Sequence, residues 1–323
     1  MGLAMSEVKR SGERIPSVYT VHGCRHVSDL IKSLDKFAKE IANAPVPPIT
    51  VLEAYILLCS AHVHDAANVI SRDNHPDRCG EIIRRYKDLF ASVTSQQIYD
   101  VARVHGGKHP EFGKDTFRSI NSSVSSPPRL LLLAAFIRLG DELSENEERV
   151  PQLVVDNHPV AEESKLAHAY AKSFTSFEFR NESLYIVFGV YPAAHQLTAT
   201  INEKEINFYD FLEDKINVIE CESRYCSQYA RPSFNISEIN ITIHQYQMER
   251  PSPVSKSEMF TLHLNHGYPD IEPTLCQRSP ELIKKSIKNL RDCFAELPAK
   301  VNDYDNRGIA KKISSWWAGR GKS

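Results

Sequence analysis

The sequence predicts an all-α core, a helical bundle over residues 15–155, followed by an α+β region over 160–300 and a basic, tryptophan-containing tail over 301–323. Three observations carry this. In the first part, apolar residues recur at helical spacing. Two runs there, VLEAYILLCSA and LLLLAAFI, are apolar on every side and mark central helices. In the second part, apolar residues alternate in short stretches bounded by turn residues, the pattern of strands.

The elements follow in order. Residues 26–42 form an amphipathic helix, with Val27, Leu30, Ile31, Leu34, Phe37, Ala38 and Ile41 on one face. APVPP ends it, because proline cannot continue a helix. Residues 50–66 form the second, central helix, and 72–80 (RDNHPDRCG) a polar loop. EIIRRYKDLF is a short helix with Ile82, Ile83, Tyr86, Leu89 and Phe90 inward. Thr94 and Gln97 suggest a capping box for a helix reaching His105, which Gly106 and Gly107 stop. A long irregular loop spans 107–126. Pro127 and Pro128 suit the first turn of the next helix, RLLLLAAFIRLGDELSENEER. Beyond 160, KSFTSFEFRNESLYIVFGV reads as a hairpin turning at Arg180–Asn181–Glu182. LTATI, ISEINITIHQYQM and EMFTLHL are further strands; NFYDFLEDKINVIECESRYC and PELIKKSIKNLRDCFAEL are helices.

Composition bounds the function. A formal net charge of −2 provides no global field for nucleic acid. Seven scattered cysteines without a C-x-x-C pair point to a reducing compartment, and Cys221 and Cys226, the nearest pair, read as incidental. MGLAMSEVKR lacks the apolar segment of a secretory signal. The longest apolar runs fall short of the roughly 20 residues a bilayer requires. A soluble cytoplasmic protein without membrane contact is expected.

Seven of the thirteen histidines lie between positions 22 and 109. The stretch AHVHDAANV closes the first central helix with His62, His64 and Asp65, and a buried carboxylate requires compensation. Folding the first two helices back about residue 46 sets His26 opposite His64 and Asp65. Asp141, late in the other central helix, requires a partner too; Arg138, one turn back, is the plain structural choice. Two imidazoles and two carboxylates from three helices form a mixed nitrogen/oxygen set. Such a set suits Mn²⁺, Fe²⁺, Co²⁺, Ni²⁺ or Zn²⁺, and less often Mg²⁺. The competing reading is a buried polar network.

The ordered set His26, His64-Asp65 and Asp141 resembles the HD-domain superfamily of metal-dependent phosphohydrolases. YTVHGCRHVSDLI is similar to the T-x-H-G-x-x-H opening of a bacterial subgroup often found in defence loci, and RLGDEL with Arg149 to its R-L-A-D-x-L-D…R segment. The resemblance covers roughly residues 19–150. Two departures stand out: His105 is followed by Gly106 where the subgroup has an H-H pair, and Ala66-Ala67 follow the HD dipeptide. The resemblance implies His26, His64, Asp65 and Asp141 as ligands of a divalent metal. Asp65 would also orient the attacking water, and His105 would serve as general acid or phosphate donor, its alternative being a helix-end residue.

Further candidates for substrate binding are His22, His75, Arg78, Lys108, His109 and Arg149, with Lys114 and Arg118 on the same long loop as Lys108. Loop polarity alone accounts for His75, Arg78 and the long-loop residues equally well. Arg149 has the alternative of fixing the acidic Glu145–Glu148 turn, and His62 reads as a satisfied core histidine. The tail, with Trp316 and Trp317, reads as a docking segment for a neighbouring subunit. The expected function is a deoxynucleoside triphosphate triphosphohydrolase in bacterial antiviral defence. A phosphodiesterase on cyclic nucleotides or oligonucleotides, or a nucleotide-sensing module without turnover, are the alternatives. The expected partners are a nucleotide substrate, further copies of the chain, and a regulatory nucleotide or partner protein.

Overall fold

A computed structural model describes residues 23–70, 75–90, 92, 94–122, 126–150, 162–201, 203–248, 254–264 and 280–295. The first part is helical. Helix α1 (Cys24–Asn43) buries Leu30, Leu34, Phe37 and Ile41 of the expected stripe, together with His26 and Ser33, while Val27, Ile31 and Ala38 are half-buried. Helix α2 (Val51–Val63) starts at a capping box between Thr50 and Glu53 and passes into a 3-10 turn at Ala66–Val69. Helices α3 (His75–Arg85), α4 (Ser95–Arg103) and α5 (Leu130–Glu142) follow, with short 3-10 turns at Lys87–Leu89, Thr116–Ser119 and Glu147–Arg149.

Helix α6 (Glu162–Ser173) leads into the α+β part. Strands β1 (Phe174–Arg180) and β2 (Ser183–Val190) form the expected hairpin; Asn181 and Glu182 both take positive φ at its turn. A short helix α7 (Pro192–His195) and a small hairpin, β3 (Thr198–Ile201) with β4 (Lys204–Asn207), precede the long helix α8 (Phe208–Ala230). Strands β5 (Glu238–Tyr246) and β6 (Val254–His263) and helix α9 (Pro280–Ala295) complete the described chain. The larger sheet has the order β1-β2-β5-β6. Among the described strands only the β2–β5 pair is parallel, with Ser183 opposite Glu238 and Val190 opposite Gln245. A parallel pair requires a crossover, and α8 supplies it.

The two parts share one apolar core. Phe37 of α1 is its joint. Its ring lies 5.2 Å from Phe136 of α5, 5.8 Å from Phe179 of β1 and 5.4 Å from Phe234, which follows α8. Helix α8 packs along α5, where Glu222 takes the Arg138 guanidinium (Nη2–Oε1 2.8 Å). It also anchors the irregular loop: Asp115 accepts hydrogen bonds from Tyr229 (2.6 Å) and Tyr225 (3.2 Å). Among the described residues no helix is long and apolar enough to cross a membrane.

Several local expectations are corrected. Helix α2 is not enclosed: Val51 is 89% exposed, and Leu52 and Leu58 also face outward. Residues 75–80 are helix, not loop, since Pro76 and Asp77 favour a first helical turn. Tyr86 and Leu89 are exposed because the helix stops at Arg85 before their face is set inward. Thr94 makes no side-chain cap bond, so the capping box with Gln97 does not form. Pro127 and Pro128 precede α5 instead of opening it, and that helix ends at Glu142. His22 and the tail with Trp316 and Trp317 lie outside the described residues.

Candidate metal centre

Helices α2 and α5 run side by side in the same direction, with their N-terminal ends joined by a buried ion pair. Glu53 and Arg129, 0% and 1% exposed, meet through Nε–Oε1 at 2.8 Å and Nη2–Oε2 at 2.9 Å. The guanidinium also donates to the carbonyls of Pro47 and Pro48. Burial works against the Glu53 charge, but Arg129 and the Thr50 amide outweigh it and hold the carboxyl down at about 2. Sequence reading missed this pair. Its partners are 76 residues apart, and Glu53 alone reads as the far half of a capping box.

At the opposite ends, α2 delivers His64 and Asp65 and α5 delivers Asp141. Helix α1 runs against them, so its first turn brings His26 to the same point. One nitrogen or oxygen from each of His26, His64, Asp65 and Asp141 falls within 4.8 Å of all the others. His26 Nε2 is 2.9 Å from Asp141 Oδ1 and 3.7 Å from Asp65 Oδ2. His64 Nε2 is 3.5 Å from Asp65 Oδ2 and 3.7 Å from Asp141 Oδ1. Gly140 makes the approach of α1 possible: a Cβ there would stand 2.9 Å from Leu30 Cδ1 and 3.3 Å from Leu34 Cδ2.

The donor chemistry fits a cation. His64 Nδ1 lies 2.9 Å from the Ala61 carbonyl, so it carries the proton and leaves the Nε2 lone pair facing two carboxylates. Nε2 has no hydrogen-bond partner among the described residues. Lone pair against carboxylate is repulsive unless a proton or a metal ion stands between them. Burial opposes a proton on His64, but the Asp141 and Asp65 charges raise its pKa above the ordinary imidazole value. Burial would likewise lift Asp141, yet His26 and His64 beside it hold its carboxyl well below the usual range. The buried His/Asp group thus fits a divalent metal site.

Asp65 has a second side. Its Oδ1 is 3.0 Å from His75 Nε2 and 3.6 Å from His105 Nε2, and those two nitrogens are 3.1 Å apart. Asp65, His75 and His105 therefore form a second donor group that shares a carboxylate with the first. His105 Nδ1 is tied to the Ala102 carbonyl at 2.6 Å, which turns Nε2 inward. His75 opens α3, while His105 stands two residues beyond the end of α4, so the helix expected to reach His105 stops at Arg103. The start signals at Pro76 and Asp77 were enough to place His75 on a helix.

The other candidates are scattered. Lys108 and His109 line a cleft of about 40 Å³ with Arg103, Gly106, Pro76 and Asp77. Arg78 pairs with Glu81 on α3. Lys114 and Arg118 are exposed, with Arg118 over the Phe112 ring. Arg149 is buried with its Nη1 2.6 Å from Glu145, fixing the acidic turn. His62 is exposed, not in the core; its Nδ1 lies 2.8 Å from the Leu58 carbonyl. Arg138 is committed to Glu222 and is not the partner of Asp141.

The family model described as HD-CE matches residues 17–216, more than half of the chain. This protein belongs to the HD-CE family. The matched span of HD-CE holds every member of both donor groups and runs on into α8, so it includes the first hairpin of the α+β part as well as the helices. The comparisons with curated proteins and with solved structures returned no match.

Proposed function

We propose that this HD-CE protein is a metal-dependent phosphohydrolase of nucleotides, and that its reaction is the hydrolysis of deoxynucleoside triphosphates in bacterial antiviral defence. The observation that supports the reading is the shared carboxylate: Asp65 faces His26, His64 and Asp141 with one oxygen side and His75 and His105 with the other. A divalent cation in such a donor set acts as a Lewis acid on a phosphoryl oxygen and makes water a nucleophile near neutral pH.

The protein's own groups supply the rest. Asp65 and Asp141 hold negative charge in a buried setting where a cation compensates it. His75 and His105 face Asp65 Oδ1; an imidazole there is placed to pass a proton to the departing oxygen. Lys108 adds an exposed positive charge at the small cleft it lines with Arg103 and His109, which suits a chain of phosphates. The defence role rests on the resemblance of the TVHGCRH and RLGDEL segments.

The second donor group favours one further reading, a phosphodiesterase on cyclic nucleotides or oligonucleotides, because paired cations suit in-line displacement at a diester. One experiment separates the readings. The protein is loaded with Mn²⁺, Fe²⁺, Co²⁺, Ni²⁺, Zn²⁺ or Mg²⁺ and given a panel of deoxynucleoside triphosphates, cyclic nucleotides and short oligonucleotides. Release of inorganic triphosphate is the expected result. Nucleoside monophosphate from a cyclic or oligomeric substrate supports the diesterase. Tight binding without product overturns both in favour of a sensing module.

A further inference from the structure

Helix α8 carries Glu222, Tyr225 and Tyr229 at a spacing of three and four, so the three share one face. All three lie beyond residue 216, where the family match ends. That face meets α5 at Arg138, one turn before Asp141. The guanidinium holds the Glu222 carboxylate through Nε and Nη2, and its Cζ stands 4.4 Å from the Tyr225 ring centroid. The third nitrogen is used elsewhere: Nη1 donates to Thr116 Oγ1 at 3.1 Å and reaches the Val104 carbonyl at 3.5 Å. The Thr116 hydroxyl donates to the same carbonyl at 3.2 Å. The tyrosines of α8 fix the segment around Thr116, since Asp115 accepts from both hydroxyls and the Phe117 amide donates to Tyr225 at 2.9 Å.

The Val104 carbonyl belongs to the peptide unit whose N–H is that of His105. A planar peptide held at its oxygen also holds the Cα that follows, so Arg138 and Thr116 fix the backbone on which the His105 ring stands. Val104 and Thr116 are buried, where a hydrogen bond is strong. The Ala102 carbonyl fixes the ring itself through Nδ1. Together these bonds keep His105 Nε2 3.6 Å from Asp65 Oδ1 and 3.1 Å from His75 Nε2. We propose that Arg138 is a positioning residue for His105, anchored by α8, so that the α+β part sets the reach of this imidazole at the metal centre. The proposal rests on the reading above in which His105 passes a proton to the departing oxygen; Arg138 acts through the Val104–His105 peptide.

Four variants of the full chain test it. Thr116→Val removes the bridging hydroxyl at nearly constant volume, and Thr116→Ser restores it. Arg138→Lys keeps the charge beside Glu222 but has no second arm for Val104. Leu212→Ala, a buried truncation on α8, is the control for lost stability alone. The first readout is the imidazole signals in long-range proton–nitrogen correlation spectra of the chelated protein. The His105 Nδ1–H signal, assigned through His105→Gln, should be lost in Thr116→Val and Arg138→Lys and kept in Thr116→Ser and Leu212→Ala, while His26 stays unmoved in all four. The second readout is turnover on the substrate that the nucleotide panel selects. There kcat should fall about tenfold or more in the first two variants with KM within about twofold, because a misplaced proton donor slows the chemical step. An unmoved His105 signal, or an unchanged kcat in both variants of an active parent, overturns the proposal. So does a fall in kcat that Leu212→Ala shares. If the parent turns over no nucleotide, the hydrolase reading fails and the His105 signal alone decides the positioning.

Discussion

The two ends of the α2–α5 helix pair carry buried charge for opposite purposes. At the N-terminal ends, Glu53 and Arg129 close on each other: every guanidinium nitrogen has an acceptor and both carboxylate oxygens have donors. At the C-terminal ends, His64 Nε2 faces two carboxylates at distances too long for hydrogen bonds. The first arrangement is complete within the protein. The second becomes complete with a cation. A buried ion pair that satisfies itself does structural work, whereas converging lone pairs and carboxylates point outside the polypeptide for their compensation.

The contrast is broken most severely at Asp65. Asp65→Ala removes a member of both donor groups, so bound metal measured by elemental analysis and phosphohydrolase turnover should fall to background together. The same variant relieves carboxylate crowding, and the chelated protein should not melt lower than the chelated parent. Loss of Arg129 should do the reverse. Arg129→Leu leaves Glu53 buried without its cation and should destabilise the fold by about 3–5 kcal/mol in urea titration. The folded fraction should still bind metal at the parent stoichiometry.

Between these extremes stands Gly140→Val. Its side chain meets Leu30 and Leu34 where α1 crosses α5, an overpacking of about 1–3 kcal/mol. Because α1 also carries His26, metal affinity should drop with stability, and parallel titrations of metal and denaturant check this. The smallest effect is on acid stability. The Glu53 carboxyl titrates at about 2 in the folded protein against 4.5 ordinarily. Its contribution is therefore whole above pH 4.5 and is lost as the pH falls through 2. Glu53→Gln should show a shallower loss of urea stability across that window than the parent.

What the sequence made legible follows from how locally each feature is written. His64, Asp65 and Asp141 were readable because each ends or interrupts an apolar run with a group that burial penalises, and His26 because the short turn near residue 46 folds the first helix back onto them. The β1–β2 hairpin and the alternation of β5 were readable because the pattern and the turn lie within a few residues. The Glu53–Arg129 pair joins two ordinary helix starts, and only the parallel packing of α2 and α5 makes it a unit. Strand β4, KEIN, is short and polar, and α6 begins with EESK, which reads equally as a surface loop. The parallel pairing of β2 with β5 depends on a crossover that no local signal announces. His75 was misplaced because its neighbours are polar, although Pro76 after it is a helix-start signal.

Helix α8 both returns the chain from β2 to β5 and backs the helix that bears Asp141. In synthesis, α5 leaves the ribosome well before α8 exists. Until then the Arg138 guanidinium has no Glu222 to receive it, and the flank of α5 is bare. A chain released after residue 155 thus holds all the ligand side chains yet lacks the wall behind one of them, which ties the order of translation to the moment the centre can close.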